Sequence, residues 1–442
     1  MSNNLSKRIT LPFLIKFTLP SIIVMVFTAL YTIVDGFFVS NFVNTDALSA
    51  VNIVYPVINV VYAIGLMFST GLTAIVARKV GEGRREEACR VFSFVSLCAA
   101  LFGVVLTAVS FFGLDGIIRL LGSNDALFDY CRDYALTILG FFPFSILQLL
   151  FQNMMVADGR PGLGLITSLA GGIANMILDY VFIVPMGMGI AGAALATGIG
   201  YCVPTVAGLI YFSVRRGGIC FVKPLADWRS LLHSITNGSS EMVSNLAMSI
   251  TTFLFNIIMM RTLGQDGVAA ITIVMYLDFL LVSVNLGYSM GVAPLISYNY
   301  GAQDNEKLKK LFRMSMMLLT GFSVLMTAGA LLFPGPLSAV FAKPGTDVYR
   351  FAVHGLLIYA VSYLFKGYNI FASAMFTAFS DGKTSAILSF LRTFLFLVVC
   401  TLGMTALFGA DGVWLAAPAA EILALAVTVF CFAKYRRFYH YL

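Results

Sequence analysis

The chain has 442 residues, 59% of them hydrophobic and only 11% charged, with a mean hydropathy of +0.91. A soluble domain carries roughly 25% charged residues, so this composition excludes a soluble surface and implies an integral membrane protein. The formal net charge of +7 is spread over short loops rather than gathered on one face, which argues for membrane topology and against a nucleic-acid partner.

The N-terminal stretch MSNNLSKRITLPFLIKFTLP puts basic residues ahead of the first apolar run and lacks a short apolar core with a small-residue cleavage site. The first span is therefore expected to be retained. Apolar runs of about 20 residues predict twelve helical spans, over 15–38, 48–74, 89–113, 130–151, 162–184, 190–213, 238–262, 268–294, 310–333, 350–377, 384–408 and 411–433. The breakers lie between them, among them VARKVGEGRREEACR, ADGRPG, RRGGICFVKPLADWRS and NYGAQDNEKLKK. Barrel strands do not fit, because the runs exceed ~10 residues and do not alternate in polarity. The seven cysteines lie mostly inside apolar runs with no CxxC spacing and read as free thiols packed like small hydrophobes.

Of the 28 Lys and Arg, 22 fall on the side of the chain termini, Arg392 among them. Five (Arg119, Arg132, Arg261, Lys343 and Arg350) fall on the other side, and Lys366 lies within a span. That asymmetry predicts both termini in the cytoplasm.

The halves are self-similar. A shift of about 220 positions brings TDALSAVNIV (45–54) onto QDGVAAITIV (265–274), Gly71 onto Gly291, Gly81 onto Gly301 and GIAGAALA (189–196) onto GADGVWLA (409–416). The expected organisation is an N-lobe (1–213, spans 1–6), a cytoplasmic connector (214–234) and a C-lobe (235–442, spans 7–12). Six spans per half is an even number, so both halves insert alike and relate by a pseudo-two-fold along the membrane normal. The expected fold class is thus all-α, with two six-helix bundles enclosing a cleft.

Acids within spans are expensive and usually functional. Asp35 in span 1 shares a helical face with Thr28, Tyr31 and Thr32, and span 5 places Asn175 and Asp179 four residues apart. Thr197 stands among small residues in span 6. These are hard oxygen donors, suited to a proton or a small hard cation rather than copper or zinc. Polar packing between helices is the alternative. The second half carries Glu241, Asp278, Lys366 and Glu421 within spans. A buried Lys needs a partner, and these residues read equally as ion pairs or as substrate contacts. With Gln148 and Asn153 of span 4 they are the candidates for lining the cleft. The 39 Phe, 19 Tyr and 20 Met mostly pack or face lipid, though some would suit flat apolar ligands.

The motifs Y-x3-D-G-F-F-V, D-A-L-S-A-V, G-L-T-A-I-V-A-R-K-V-G-E-G, N-x3-L-D and G-I-A-G-A-A-L-A-T occur in this order. Together they resemble the multidrug and toxic compound extrusion (MATE) family, in its DinF-like and MepA-like prokaryotic branch. The resemblance implies an antiporter that exports bulky, often cationic drugs and metabolites in exchange for H+ or Na+. It implies a coupling site of Asp35, Asn175, Asp179 and Thr197 beside Tyr31, and a bend at Pro20. It also implies a monomer in the plasma membrane that needs no cofactor beyond the coupling ion.

The NorM-like branch of the family has a C-lobe cation site with acids in spans 7 and 10. Glu241 matches the first, but YLFKGYNIFASAMF offers Lys366 and no acid, so a Glu241–Lys366 pair is expected in its place. No HExxH, Walker or GxSxG motif is present, which argues against an enzyme. A lipid or lipid-linked oligosaccharide flippase of the same superfamily is the alternative. The lack of an Arg central to any span argues against it.

Overall fold

The computed structural model describes residues 4–43, 45–215 and 217–442, the side chains of 32–41, 45 and 48 excepted. Every regular element among the described residues is helical. In the first half these are α1 (Leu11–Phe42), α2 (Thr45–Gly81), α3 (Arg85–Leu120), α4 (Asp125–Leu139), α5 (Phe142–Ala157), α6 (Pro161–Ile183) and α7 (Gly189–Val214). The second half has α8 (Trp228–Gly301), α9 (Asn305–Leu332), α10 (Pro334–Ala339), α11 (Asp347–Tyr359), α12 (Tyr363–Ala378), α13 (Gly382–Phe390), α14 (Leu397–Phe408) and α15 (Ala410–Tyr439).

Among the described residues ten helical segments are long and apolar enough to cross a bilayer, and α4 with α5, bent by 51° at their junction, make an eleventh when counted as one span. Helix α8 has 74 residues and, at 1.5 Å each, would run ~110 Å if straight, far beyond a hydrocarbon core of ~30 Å. It breaks at Gly264, where φ is 68°, a value that glycine adopts without strain. Counted as two spans, it brings the total to twelve. The sequence expectation thus holds in number but not in detail: span 4 is a bent pair, and a π-helical turn, Leu391–Phe396, interrupts span 11.

The first described residues and the C-terminal ones lie at one end of the bundle. Leu5 and Ile9 share an apolar cluster with Leu308, Phe379, Tyr439 and Tyr441. The Asn4 amide donates to the Gly159 carbonyl at 2.7 Å, just before α6 begins. Residues 228–234, which the sequence assigns to the connector, form the first turns of α8. The segment before them is tied to the N-lobe: Asp158 accepts from Arg215 Nε at 2.9 Å and from the Ile219 amide at 2.8 Å.

The two lobes approach most closely at that same end. A Cβ added to Gly81 would sit 2.0 Å from the Tyr298 carbonyl oxygen, and one added to Gly301 would sit 2.1 Å from that of Arg78. Residues 78 and 298, like 81 and 301, are 220 apart, so the two contacts are copies of one another across the pseudo-two-fold. Only glycine permits helix backbones to come so near. Gly71 and Gly238 press on Ser234 and Met67 in the same way, and Arg78 lies over the Tyr300 ring at 5.1 Å.

Helix α1 belongs to both lobes. Its first turns bury Leu14 and Phe17 in a C-lobe cluster with Tyr288, Val292 and Leu295. Farther along, Phe27 packs onto Gly172 of α6, so closely that a Cβ there would come within 2.4 Å of the ring. Pro20 lies between these two packing segments, and α1 runs through it unbroken.

Candidate functional site

In the N-lobe, small residues bring α6 and α7 together. A Cβ on Gly171 would meet the Gly200 carbonyl at 2.6 Å, and one on Gly200 would meet Asn175 Cβ at 3.0 Å. This contact brings Asn175 to Thr197: the amide nitrogen lies 3.4 Å from the threonine hydroxyl, which donates to the Ala193 carbonyl at 3.0 Å. Asn175 is 4% exposed and Asp179 is fully buried one turn farther on. Asn175 Oδ1 is buried with no hydrogen-bond partner among the described residues. A buried amide carbonyl normally finds a donor, so this oxygen is available to a ligand.

Tyr31 is half-buried and its ring lies 6.0 Å from that of Phe27. The side chains of Thr32 and Asp35 lie outside the described residues. Helical register puts Asp35 eight residues past Phe27, and Asp179 seven past Gly172. Helices α1 and α6 both rise from the end that carries the termini. The Phe27–Gly172 contact therefore sets the two acidic positions at one level.

The C-lobe is arranged differently from the expectation. Lys366 pairs with Asp278, not with Glu241: its Nζ lies 2.5 Å from Asp278 Oδ1 and donates to Tyr359 Oη at 3.1 Å. The Tyr359 hydroxyl donates to the other carboxylate oxygen at 3.2 Å. The ammonium also faces the rings of Tyr359 and Tyr363, at 4.6 and 5.5 Å from their centres. The break at Gly264 folds the second half of α8 against α11 and α12, and so brings positions 278 and 366 together.

A second pair stands beside it. Glu421 accepts from Asn369 at 2.7 Å, and Arg392 Nη1 lies 3.5 Å from its other oxygen. Arg392 sits in the π-helical turn with its side chain 15% exposed. It is therefore an intramembrane arginine, contrary to its placement on the terminal side by sequence. Asn369 Oδ1 in turn accepts from Thr428 at 2.9 Å.

Glu241 is half-buried and forms no salt bridge among the described residues. It lies within electrostatic reach of Arg392 and, across the lobe boundary, of Tyr62. Nearby, the Asn59 amide of α2 donates to the Ser249 hydroxyl of α8 at 2.8 Å. The other cleft candidates are not gathered here. Asn153 is spent inside the N-lobe, donating to Ser69 at 2.6 Å, and half-buried Gln148 makes no side-chain hydrogen bond among the described residues.

The MatE family profile matches residues 20–181 and, a second time, residues 242–402. The chain belongs to the MatE family. The two matched segments begin 222 residues apart (242 less 20), close to the shift that superposes the halves in sequence. MatE relatives include the multidrug export protein MepA of Staphylococcus saprophyticus, 24% identical over 425 residues, with 93% of this chain and 91% of that one covered. MepA of Staphylococcus aureus strain MSSA476 is 24% identical over 418 residues, covering 93% and 91%.

Among solved structures, an outward-facing multidrug resistance MATE family transporter of the MOP superfamily superposes with a TM-score of 0.91 at 22% identity, covering 96% of each chain. A mutant of the Vibrio cholerae MATE transporter VcmN superposes at 0.90 and 21% identity, covering 97% of this chain and 98% of that one. These likenesses establish the fold. MATE proteins are membrane efflux transporters, so the chain is a MepA-like transporter and not an enzyme.

Proposed function

We propose that this transporter exports bulky, amphipathic, often cationic drugs and metabolites across the cell membrane by alternating access, in exchange for H+ or Na+, with both termini in the cytoplasm. The observation that carries the coupling role is the pair of buried residues Asn175 and Asp179 beside half-buried Thr197, with Asn175 Oδ1 lacking a partner among the described residues. With Asp35 and Tyr31 it offers carboxylate, amide and hydroxyl oxygens, the donor set of a proton or a small hard cation.

Helix α1 supplies a route from that site to the cleft. Its middle packs on α6, its start packs in the C-lobe, and Pro20 lies between. Proline removes one rung of helix hydrogen bonding, so bending there costs less than at neighbouring positions. Loading the acids with a cation cancels charge beside α1 and changes which α1 packing is favoured. The drug is then expelled because the two packings differ in affinity for both ligands. On this reading the glycine contacts at Gly81 and Gly301 seal the cytoplasmic end, and the cleft opens outward. Glu241, which forms no salt bridge among the described residues, is the C-lobe carboxylate best placed to meet a cationic drug.

The flippase alternative needs free basic groups for a pyrophosphate. Lys366 and Arg392 are each engaged by a carboxylate, which favours the drug exporter. Export of a fluorescent organic cation from proteoliposomes, under a pH gradient alone and a sodium gradient alone, tests the proposal. Export driven by neither gradient would reject it.

A further inference from the structure

The two halves treat their intramembrane acids in opposite ways. In the N-lobe, Asp35 and Asp179 lie within spans that hold no central Lys or Arg. In the C-lobe, Asp278 and Glu421 each hold a cation that belongs to the chain itself. The Asp278–Lys366 pair has no counterpart in the first half, where the 220-residue shift finds Ile58 and Ile146. The acid and the base of this pair are thus absent together from the N-lobe and present together in the C-lobe.

The surroundings of the Lys366 ammonium are those of a binding site for a small monovalent cation. A carboxylate oxygen lies at 2.5 Å, a phenol oxygen at 3.1 Å, and two tyrosine faces stand within 5.5 Å. Carboxylate with aromatic faces is the chemistry that recognises ammonium-type ions. Lys366 is 7% exposed, Tyr359 5% and Tyr363 fully buried. Two further buried oxygens stand close by without a hydrogen-bond partner among the described residues: Tyr363 Oη, and Asn285 Oδ1 next to Gly367. Stability alone does not account for such a pair, since a buried ion pair is often no better than apolar side chains of the same volume.

We infer that Lys366 is a tethered cation, its ammonium permanently occupying a C-lobe monovalent-cation site built by Asp278, Tyr359 and Tyr363. The lobe is therefore always loaded, and only the N-lobe exchanges its cation with solution. The inference rests on the antiport reading for that last consequence, but the site itself does not. The charged and titratable groups around it are Asp278 on α8, Tyr359 on α11, Tyr363 and Lys366 on α12, with Glu421 on α15 and Arg392 of the π-helical turn within electrostatic reach of Tyr359.

The test is cation binding to purified, lipid-reconstituted full-length protein with no gradient imposed, so that it reads independently of transport. Lys366→Met vacates the site, because methionine matches the lysine stem but ends one atom short, where the ammonium begins. Its melting temperature should rise with added ammonium chloride or sodium chloride and not with N-methylglucamine chloride at equal ionic strength. It should bind one more ammonium ion than the parent. The increment should vanish in Lys366→Met/Asp278→Asn. If Lys366→Met is recovered as folded protein only when ammonium or sodium is present, that is the same result in stronger form. A folded Lys366→Met that binds no more cation than the parent overturns the inference. So does an unfolded one that neither cation restores. Loss of coupled transport in N-lobe variants, or its persistence, bears on the antiport reading alone.

Discussion

Replacing Gly301 by alanine should shift the transporter away from the state described here. The new Cβ would lie 2.1 Å from the Arg78 carbonyl oxygen, whereas ordinary contact begins near 3.4 Å, so the helices must separate by about 1.3 Å (3.4 less 2.1) at that point. Overpacking of this kind costs about 1–3 kcal/mol. Gly81→Ala forces the same retreat against Tyr298, at 2.0 Å. The penalty falls only on the state in which the lobes touch at this end. It therefore becomes a population shift of about 5- to 150-fold. The gain in helix propensity from glycine to alanine, up to about 1 kcal/mol, is common to both states and cancels. The double variant should add less than the sum, because one retreat relieves both contacts. Distances between spin labels on Glu86→Cys and Glu306→Cys, both exposed and 220 residues apart, read the shift in a background without native cysteines. Gly321→Ala, where a Cβ meets nothing within 4 Å, is the control. Unchanged label distances in Gly81→Ala/Gly301→Ala would refute the idea that this contact closes one end of the cleft.

Asp179→Asn should leave the helix packing of α6 intact, since the side chains are nearly isosteric, and should reduce gradient-driven export of an organic cation by at least tenfold while equilibrium drug binding persists. Transport and binding measured on the same preparation separate the two, and equal loss of both would point to misfolding. Asp227 caps α8, accepting from the Ser230 amide at 3.0 Å, and hydrogen bonding with Ser230 holds its carboxyl below the usual range. A carboxyl with a lowered folded pKa gives stability that is complete above its unfolded pKa and fades as pH falls through the folded value. Asp227→Ala should accordingly cost about 1 kcal/mol at neutral pH and less below both values, where the neutral carboxyl is the weaker cap. Hydrogen exchange of the first turn of α8 at the two pH values checks this.

The spans were legible because each must present about 20 apolar residues to lipid, and no tertiary contact can override that demand. The Gly81–Gly301 relation was also legible, because duplication kept both glycines in register. The break in span 4 was not, since Gly140 and Phe141 interrupt the helix inside an unbroken apolar run. The partner of Lys366 depended on how α8 folds back at Gly264, which no local pattern specifies. Arg392 was misplaced because loop counting treats a residue near the start of a span as interfacial. In the structure the π-helical turn carries it inward to Glu421. The carbonyl oxygen of Asn175 had a signal, its i, i+4 spacing to Asp179, but its lack of a partner among the described residues depends on how α7 packs.

The claim that the N-lobe acids load and release the coupling ion is tested most directly at Asp35. Uptake of a fluorescent organic cation is followed in inverted vesicles carrying the parent or Asp35→Asn, with a pH gradient or a sodium gradient imposed separately. The variant should keep its fold and its drug binding and lose transport driven by whichever gradient powers the parent. Undiminished, gradient-coupled transport by Asp35→Asn would contradict the claim and leave that carboxylate a structural residue.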